Sequence, residues 1–199
     1  MPLHHWLPGA MVAPTPVSAL LHAVAVVKVG VFCTTRVMLY VFGTDLMKSL
    51  NLGVPTAYFV SFTILTASVI ALTKDNLKAR LAYSTVSQVS YVLFGLMLLT
   101  PDGVQASLLQ MVFHALAKDT LFLAAGAIIF STNCTRVDQL RGIGRRMPVT
   151  MWCFTLAALS LIGIPPMAGF VSKWYLLTAS LEAPIQAFGV AGLVVLVVS

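Results

Sequence analysis

Several protonatable residues lie inside apolar segments of this 199-residue sequence, where ionisable side chains are rare. The segment 104–131 is long enough to span a membrane, because about 20 apolar residues cross a bilayer as a helix. Gln110, His114 and Lys118 recur in it at intervals of four, so they share one helical face. A charged lysine at the bilayer centre costs about 2.5–3.5 kcal/mol, so these side chains are expected to face other helices or internal water. A buried polar contact that only fixes helix packing is the alternative.

Proton transfer is the chemistry that these residue types can perform. A lysine among apolar groups can bind and release a proton as its surroundings change. Histidine titrates near neutral pH, so His114 can relay protons between Lys118 and water. Asp119 lies about 100° further round the helix and can pair with a neighbouring helix or act on Lys118. The sequence has no nucleophile–base set, metal-ligand spacing or phosphate-binding loop, so no catalytic residue, cofactor or metal is predicted.

Ionisable residues also occur in two other apolar segments. His22 and Lys28 are six positions apart and lie on different helical faces. One is expected to face the 104–131 helix and the other a helix outside the sequence; a structural histidine is the alternative for His22. Lys173 follows an interruption by about a turn and a half, which makes it a candidate for an ion path. Anchoring at the membrane interface is the alternative for Lys173.

A polar face is predicted on the helix over about 81–99, where Ser84, Gln88 and Tyr91 fall on one side. This face is suited to hold ordered water. Hydrogen bonding between helices is an equally good interpretation.

Composition indicates an all-α integral membrane protein. The sequence is 59% hydrophobic and only 9% charged, with a mean hydropathy of +0.94, whereas soluble domains are about 25% charged. The net charge of +6 comes from loops between hydrophobic segments, which fits membrane topology better than nucleic-acid binding. The three cysteines show no metal-ligand spacing and no disulfide framework.

About six membrane helices are predicted, forming a single membrane domain. Their ranges are about 14–42, 54–72, 81–99, 104–131, 148–182 and 184–199. The fifth is broken at Gly163–Pro166, because paired prolines cannot continue the hydrogen-bond ladder. The sixth is still apolar at Ser199 and no helix precedes the first loop, so the sequence is interpreted as part of a longer protein, truncated at both ends.

Basic residues predict the orientation of these helices. The loops 1–13, 73–80 and 132–147, which we call side one, hold Lys74, Lys78, Arg80, Arg136, Arg141, Arg145 and Arg146. The loops on side two hold only Lys48. The positive-inside rule therefore predicts a multi-pass protein of the inner (plasma) membrane with loops 73–80 and 132–147 in the cytoplasm, or in the matrix of an organelle.

Four ordered stretches resemble the antiporter-like membrane subunits. They are PLHHWLPGAMVAPTPVSALLHAVAVVKVGVF, NLKARLAYSTVSQVSY, HALAKDTLFLAAGA and GIPPMAGFVSKWYLL. This family unites the large Mrp-type cation/proton antiporter subunits with the proton-pumping subunits of respiratory complex I and membrane-bound hydrogenases. RGIGRRMPVTMWCF, followed by the last stretch, is most similar to the Mrp subunits of the D type. The resemblance implies a fold of about fourteen helices that includes two inverted repeats of five. The six helices predicted in this sequence would be the eighth to thirteenth of the fourteen.

The resemblance also implies proton-translocation roles for Lys118, His114, Lys28, Lys173, His22 and Lys78. Lys118 matches the proton-carrying lysine of the second half-channel, with His114 as its partner. Lys28 matches the lysine of the eighth helix that links the two half-channels. Asp119 departs from the family pattern, which has small or apolar residues after the central lysine.

Three further residues match family positions. Lys173 matches the lysine, or in some members the glutamate, of the broken twelfth helix on the exit side, and His22 matches a histidine found in the eighth helix of some members. Lys78 matches the lysine of the D-[LI]-K-x-x-LAYST motif near the cytoplasmic side. The acidic position of that motif is Asn76 here, with Asp75 one place earlier.

Three functions are compatible with the resemblance. The first is a proton-translocating subunit of a multisubunit monovalent cation/proton antiporter, with protons and sodium or another cation as transported ions. The second is a proton-pumping subunit of an NADH:quinone oxidoreductase or membrane-bound hydrogenase. The third is a non-transporting structural fragment. Other membrane subunits are the expected partners, and the glutamate–lysine pair of the family's first half-channel lies outside this sequence.

Overall fold

The chain is all-helical in the computed structural model, which describes residues 9, 13–23 and 25–182. The helices in chain order are α1 (Thr15–Ala23), α2 (Val26–Arg36), α3 (Thr44–Ser49), α4 (Gly53–Thr73), α5 (Leu77–Met97), α6 (Pro101–Thr132), α7 (Ile143–Arg146), α8 (Pro148–Ile162) and α9 (Ala168–Glu182). A π-helical segment, Val37–Phe42, extends α2, and a 3₁₀ turn, Val137–Leu140, precedes α7. The predicted all-α class is confirmed. The predicted segment 184–199 lies outside the described residues.

Three helical stretches among the described residues are long and apolar enough to cross a membrane. They are α1 with α2 and its extension (Thr15–Phe42), α4, and α6, while α8 is a shorter apolar helix. α5 is as long as α4, with 21 residues, but its serines, threonine and glutamine make it less apolar. Its polar side chains must therefore be covered by neighbouring helices.

The first predicted helix is interrupted. α1 ends at Ala23 and α2 begins at Val26, with the Ala25 amide donating to the Leu20 carbonyl at 3.0 Å. This i to i−5 bond widens the turn, and Gly43, at φ +74°, ends the π-helical extension further on. The break was not predicted, because the apolar sequence continues through it without glycine or proline.

Two helices begin earlier than the periodicity predicted, and side-chain caps explain both. Asn76 Oδ1 accepts hydrogen bonds from the backbone amides of Lys78 and Ala79, so α5 starts at Leu77. Thr100 caps α6 by accepting from the Gly103 amide at 3.1 Å. Pro101 occupies the first turn of α6, where its missing N–H has no cost.

The fifth predicted segment is discontinuous where the prolines lie. α8 ends at Ile162, Gly163 adopts φ +89°, and α9 starts at Ala168; the Pro165–Pro166 peptide between them is cis. The two halves stay close together, since a Cβ on Gly169 would overlap the Ser160 carbonyl oxygen. The break lies between two helices of 15 residues each, and each alone is shorter than the about 20 residues that cross a bilayer.

α6 is the central element of the fold, because α1, α5, α8 and α9 all pack against it. One buried apolar cluster joins α4, α5, α6 and α9 and includes Ile64, Phe94 and Leu176. A second joins α1, α5, α6 and α8 and includes Leu121 and Phe122. The helix with the predicted polar stripe is therefore the one with the most protein around it.

The loops assigned to side one lie together. The Leu77 amide donates to the Thr135 carbonyl at 3.0 Å and the Val137 amide to the Asp75 carbonyl at 2.9 Å. Arg136 and Asp75 also form an exposed ion pair at 3.7 Å. The start of α5 and the end of α6 are thus on the same side of the membrane.

Candidate functional site

A row of polar side chains on α6 forms the centre of the site. Gln110, His114 and Lys118 are spaced by one helical turn and are 5%, 1% and 0% exposed. The helices that pack against α6 explain this burial, because they cover the face that carries these residues, whereas Val112 and Leu116 on the same helix are exposed. The face predicted from the spacing of these residues is therefore directed into protein.

Lys118 is held by α5. Its ammonium donates to the Leu81 carbonyl at 3.0 Å and to the Ser84 hydroxyl, which itself donates to the Leu81 carbonyl at 3.0 Å. The polar face predicted on α5 thus supplies one of the two partners of the central lysine, Ser84, and the backbone of the same helix supplies the other. These are neutral acceptors, so they stabilise the ammonium without cancelling its charge.

Lys28 brings α2 into the same cluster. Its ammonium lies 2.5 Å from His114 Nδ1, although the two residues are 86 positions apart in sequence. Of the two residues predicted in the first helix, Lys28 is therefore the one that faces α6. The side chain of His22 lies outside what the structure describes.

His114 lies between the two lysines: it contacts Lys28 and is one helical turn from Lys118 on α6. Accepting from Lys28 at Nδ1 leaves the imidazole proton on Nε2, the other ring nitrogen. Nε2 is buried and has no hydrogen-bond partner among the described residues. A buried polar atom without a partner is unfavourable by about 1–3 kcal/mol.

No carboxylate balances this cluster within the described part of the chain. The ion pair found there joins Arg136 and Asp75 at the surface, and Asp119 is half-buried without an ion pair. The protonation states of Lys28, His114 and Lys118 are therefore coupled, since each added charge repels the others.

A neutral hydrogen-bonded bridge extends the row toward α9. Gln110 Nε2 donates to Gln88 Oε1 at 2.8 Å, and the Ser172 hydroxyl donates to Gln110 Oε1 at 2.5 Å. All three side chains are buried. Ser172 was not predicted as a site residue; its only sequence signal is its place beside Lys173, just after the helix break.

Lys173 closes the row at the discontinuous helix. Its ammonium donates to the Ile162 carbonyl at 3.1 Å and lies 5.6 Å from the centre of the Tyr91 ring. The Ile162 carbonyl lies in the last turn of α8, where the helix cannot supply a donor. Lys173 therefore satisfies the backbone group that the break exposes.

A cavity of about 490 Å³ reaches the site from side one. Its outer part is lined by Ala71, Leu72 and Arg80, near the α4–α5 loop, and its inner part by Ser84, Gln88, Lys118 and Ile162. Ser84 is half-buried, whereas Lys118 has no exposed surface. Both Ser84 and Lys118 line the cavity, so the hydroxyl and the ammonium that it binds lie at its inner wall.

Two basic residues lie at the outer end of this region. Lys78, a predicted site residue, donates to the Ala13 carbonyl at 3.3 Å and does not line the cavity. Arg80, which was not predicted as a site residue, does line it and donates to the carbonyls of Ala71 and Leu72 at the end of α4. The structure therefore places Arg80, and not Lys78, at the mouth.

The fold and the site together define a class of protein: a polytopic membrane protein with a buried row of protonatable residues beside a broken helix. The chain belongs to the NADH:quinone oxidoreductase/Mrp antiporter transmembrane family, whose profile matches residues 1–199.

Curated relatives from redox complexes are similar in sequence. NADH-quinone oxidoreductase subunit N of Desulforudis audaxviator is 40% identical over 98% of this chain, which covers 38% of that protein. F(420)H(2) dehydrogenase subunit L of Methanosarcina mazei is 40% identical over 86% of this chain, which covers 26% of that protein.

Solved structures show the same fold. A chain of the Mrp complex from Dietzia sp. DQ12-45-1b matches all of this chain with a TM-score of 0.89 and 31% identity, and 36% of it is covered. A chain of an archaeal membrane-bound sulfane sulfur reductase matches with a TM-score of 0.88 and 30% identity, and 40% of it is covered. This chain thus spans less than half the length of these relatives.

Proposed function

We propose that this chain translocates protons across a membrane through the row formed by Lys118, His114 and Lys28. The observation that carries the proposal is the contact of Lys28 with His114, one turn from a fully buried Lys118. Three coupled protonatable groups without a balancing carboxylate among the described residues are an arrangement for transfer. A packing contact alone would need only one polar pair.

Proton access from side one is through the cavity. Water in the cavity can exchange protons with the Ser84 hydroxyl, which is bonded to the Lys118 ammonium. From Lys118, protons pass to His114 and then to Lys28. Protons at Lys118 can also take another route, toward Lys173. The same cavity extends to Ile162, and Lys173 binds the Ile162 carbonyl.

We infer that the chain acts within a multisubunit monovalent cation/proton antiporter, as a subunit of the Mrp D type. The RGIGRRMPVTMWCF stretch and the structural match to the Mrp complex support this assignment. Partner membrane subunits would then provide the cation path. Lys78 would act on side one, near the cavity mouth that Arg80 lines, and His22 in the same helical stretch as Lys28.

A redox-driven pump is the second candidate. The two curated relatives belong to an NADH-quinone oxidoreductase and an F(420)H(2) dehydrogenase, and their 40% identity exceeds the 31% of the Mrp chain. The proton path would be the same in both cases. Only the source of energy, a cation gradient or electron transfer in partner subunits, would differ.

The Lys118→Gln variant tests proton translocation. Glutamine keeps a polar side chain of similar length but cannot carry a proton, so we expect a loss of at least about 100-fold in the rate. Proton uptake into everted membrane vesicles that contain the protein and its partner subunits is measured with a pH-sensitive dye. Lys48→Gln, which removes an exposed lysine on α3, is the matched control.

The same vesicles separate the candidate functions. Proton movement driven by an added sodium or potassium gradient supports antiport, whereas movement that requires an electron donor supports the redox pump. Normal proton uptake by a stably inserted Lys118→Gln protein would contradict the proposal. It would favour a structural role in a larger complex.

A further inference from the structure

A second cavity, polar and separate from the lysine row, lies between the last turn of α6 and α7. Its volume is about 450 Å³, and Ser131, Thr132, Gln139, Arg141 and Arg146 line it. None of these residues belongs to the proton path proposed above. Its function must therefore be argued on its own chemistry.

Two unopposed arginines dominate this cavity. No aspartate or glutamate lines it, and neither Arg141 nor Arg146 makes an ion pair or side-chain hydrogen bond with any described residue. Arg136 in the same loop, by contrast, is paired with Asp75. Both guanidinium groups are exposed and line one cavity, so an anion bound between them would reduce their mutual repulsion.

The neutral lining groups also favour a phosphate. The hydroxyls of Ser131 and Thr132 donate to the Ile128 carbonyl, which leaves the arginine forks and the Gln139 amide as the available donors. A guanidinium matches two oxygens of one phosphate group in a bidentate geometry. The donor set therefore suits a phosphate better than a small spherical anion.

The surroundings of the cavity are apolar and exposed. Phe130, in the turn of α6 next to the cavity, is 91% exposed, and Val149 and Trp152 at the start of α8 are 75% and 68% exposed. The Ser131 hydroxyl lies 2.9 Å from Met147 Sδ, so the end of α6 is beside the start of α8. Exposed apolar residues and a tryptophan at a helix end are typical of the membrane interface.

We propose that this cavity binds the phosphate headgroup of an anionic phospholipid. The two arginines hold the phosphate, and the acyl chains follow the exposed apolar surface of Phe130, Val149 and Trp152. A lipid with an ammonium in its headgroup is disfavoured, because that ammonium would meet the same two guanidinium groups. The basic loop between α6 and α8 thus anchors the protein to anionic lipid at a defined place.

Binding of short-chain phosphatidylglycerol to the detergent-purified protein tests the proposal, with phosphatidylcholine of the same chain length alongside. We expect the Arg141→Gln/Arg146→Gln double variant to bind phosphatidylglycerol at least about tenfold more weakly. Arg145→Gln is the matched control, because Arg145 is exposed in the same helix and does not line the cavity. It should bind within about threefold of the unmodified protein.

Three results would overturn the proposal. The first is that the unmodified protein and the double variant bind phosphatidylglycerol equally. The second is that glycerol phosphate binds as tightly as the lipid. The third is that the double variant no longer binds an acidic partner protein while its lipid binding is unchanged. The second result would assign the cavity to soluble phosphates and the third to a protein. If the glutamine variant does not fold, Arg141→Lys/Arg146→Lys keeps the charge, and weaker lipid binding then reports loss of the bidentate geometry.

Discussion

Ser84 binds the buried Lys118 ammonium at the wall of the side-one cavity. The sequence predicted its polar face but left open whether that face served water or helix packing. The structure shows the bond between helices, from Gln110 on α6 to Gln88, and it shows that Ser84 of the same face lines the cavity.

We expect Ser84→Ala to slow proton translocation about tenfold, because a hydrogen bond to a charged group is worth about 1.5–3 kcal/mol. Proton uptake into everted vesicles measures this. Ser90→Ala is the control, since Ser90 is on the same helix and is buried, and its hydroxyl bonds to the Val86 carbonyl of its own helix and to no other described residue. Equal rates for the two variants would show that Ser84 is not on the path.

The spacing of residues predicted which side chains share the face of α6, but not what they touch. Gln110, His114 and Lys118 follow from helical periodicity alone. The contact of His114 with Lys28 does not, because 86 residues separate them and the packing of α2 on this region decides which of its faces is inward. Ser172 was missed for the same reason: one serine in an apolar helix carries no signal until its partner is known.

Breaks in the helices were predicted only where proline and glycine mark them. The interruption between α8 and α9 follows from the Gly-Ile-Pro-Pro sequence, whereas the break between α1 and α2 occurs in an unbroken apolar run. We therefore attribute the break between α1 and α2 to tertiary packing and not to local propensity. The helix starts at Leu77 and Pro101 could have been found from the capping residues that precede them.

Gly169 keeps the two halves of the discontinuous helix close enough for Lys173 to reach the Ile162 carbonyl. We expect Gly169→Ala to destabilise the protein by about 1–3 kcal/mol, because the added methyl group overlaps the Ser160 carbonyl. Unfolding in mixed detergent micelles, followed by circular dichroism, gives this free energy.

Gly30→Ala on α2 provides the comparison. A Cβ there meets nothing within 4 Å, so alanine should be neutral or slightly stabilising through its higher helix propensity. If both alanine variants unfold alike, close approach of α8 and α9 at Gly169 is not a determinant of stability.

The molecule is arranged around α6, which carries the lysine row and packs against four other helices. The loops on side one carry two further polar regions, the basic cavity and the Asp75–Arg136 pair. Both the apolar helices and the excess of basic residues in the side-one loops were visible in the composition. Which loops meet each other was not, because that depends on how the helices pack.

The contacts between the α4–α5 and α6–α7 loops require that both lie on one side of the membrane, opposite the α3 region. We test this with single cysteines at two exposed lysines, Lys74→Cys and Lys48→Cys, after replacement of the three native cysteines by serine. A membrane-impermeant maleimide is added to intact cells and to inverted vesicles.

Lys74→Cys should be labelled only in inverted vesicles, because the positive-inside rule places the basic loops in the cytoplasm. Lys48→Cys should be labelled only in intact cells, since α4 crosses the membrane between the two positions. Labelling of both from one side would mean that α4 does not cross, and the cavity that leads to Lys118 would then not connect one membrane surface with the lysine row. If Lys74→Cys is labelled only in intact cells and Lys48→Cys only in inverted vesicles, the fold is unchanged but the protein has the opposite orientation. Protons would then enter the cavity toward Lys118 from the outside of the cell.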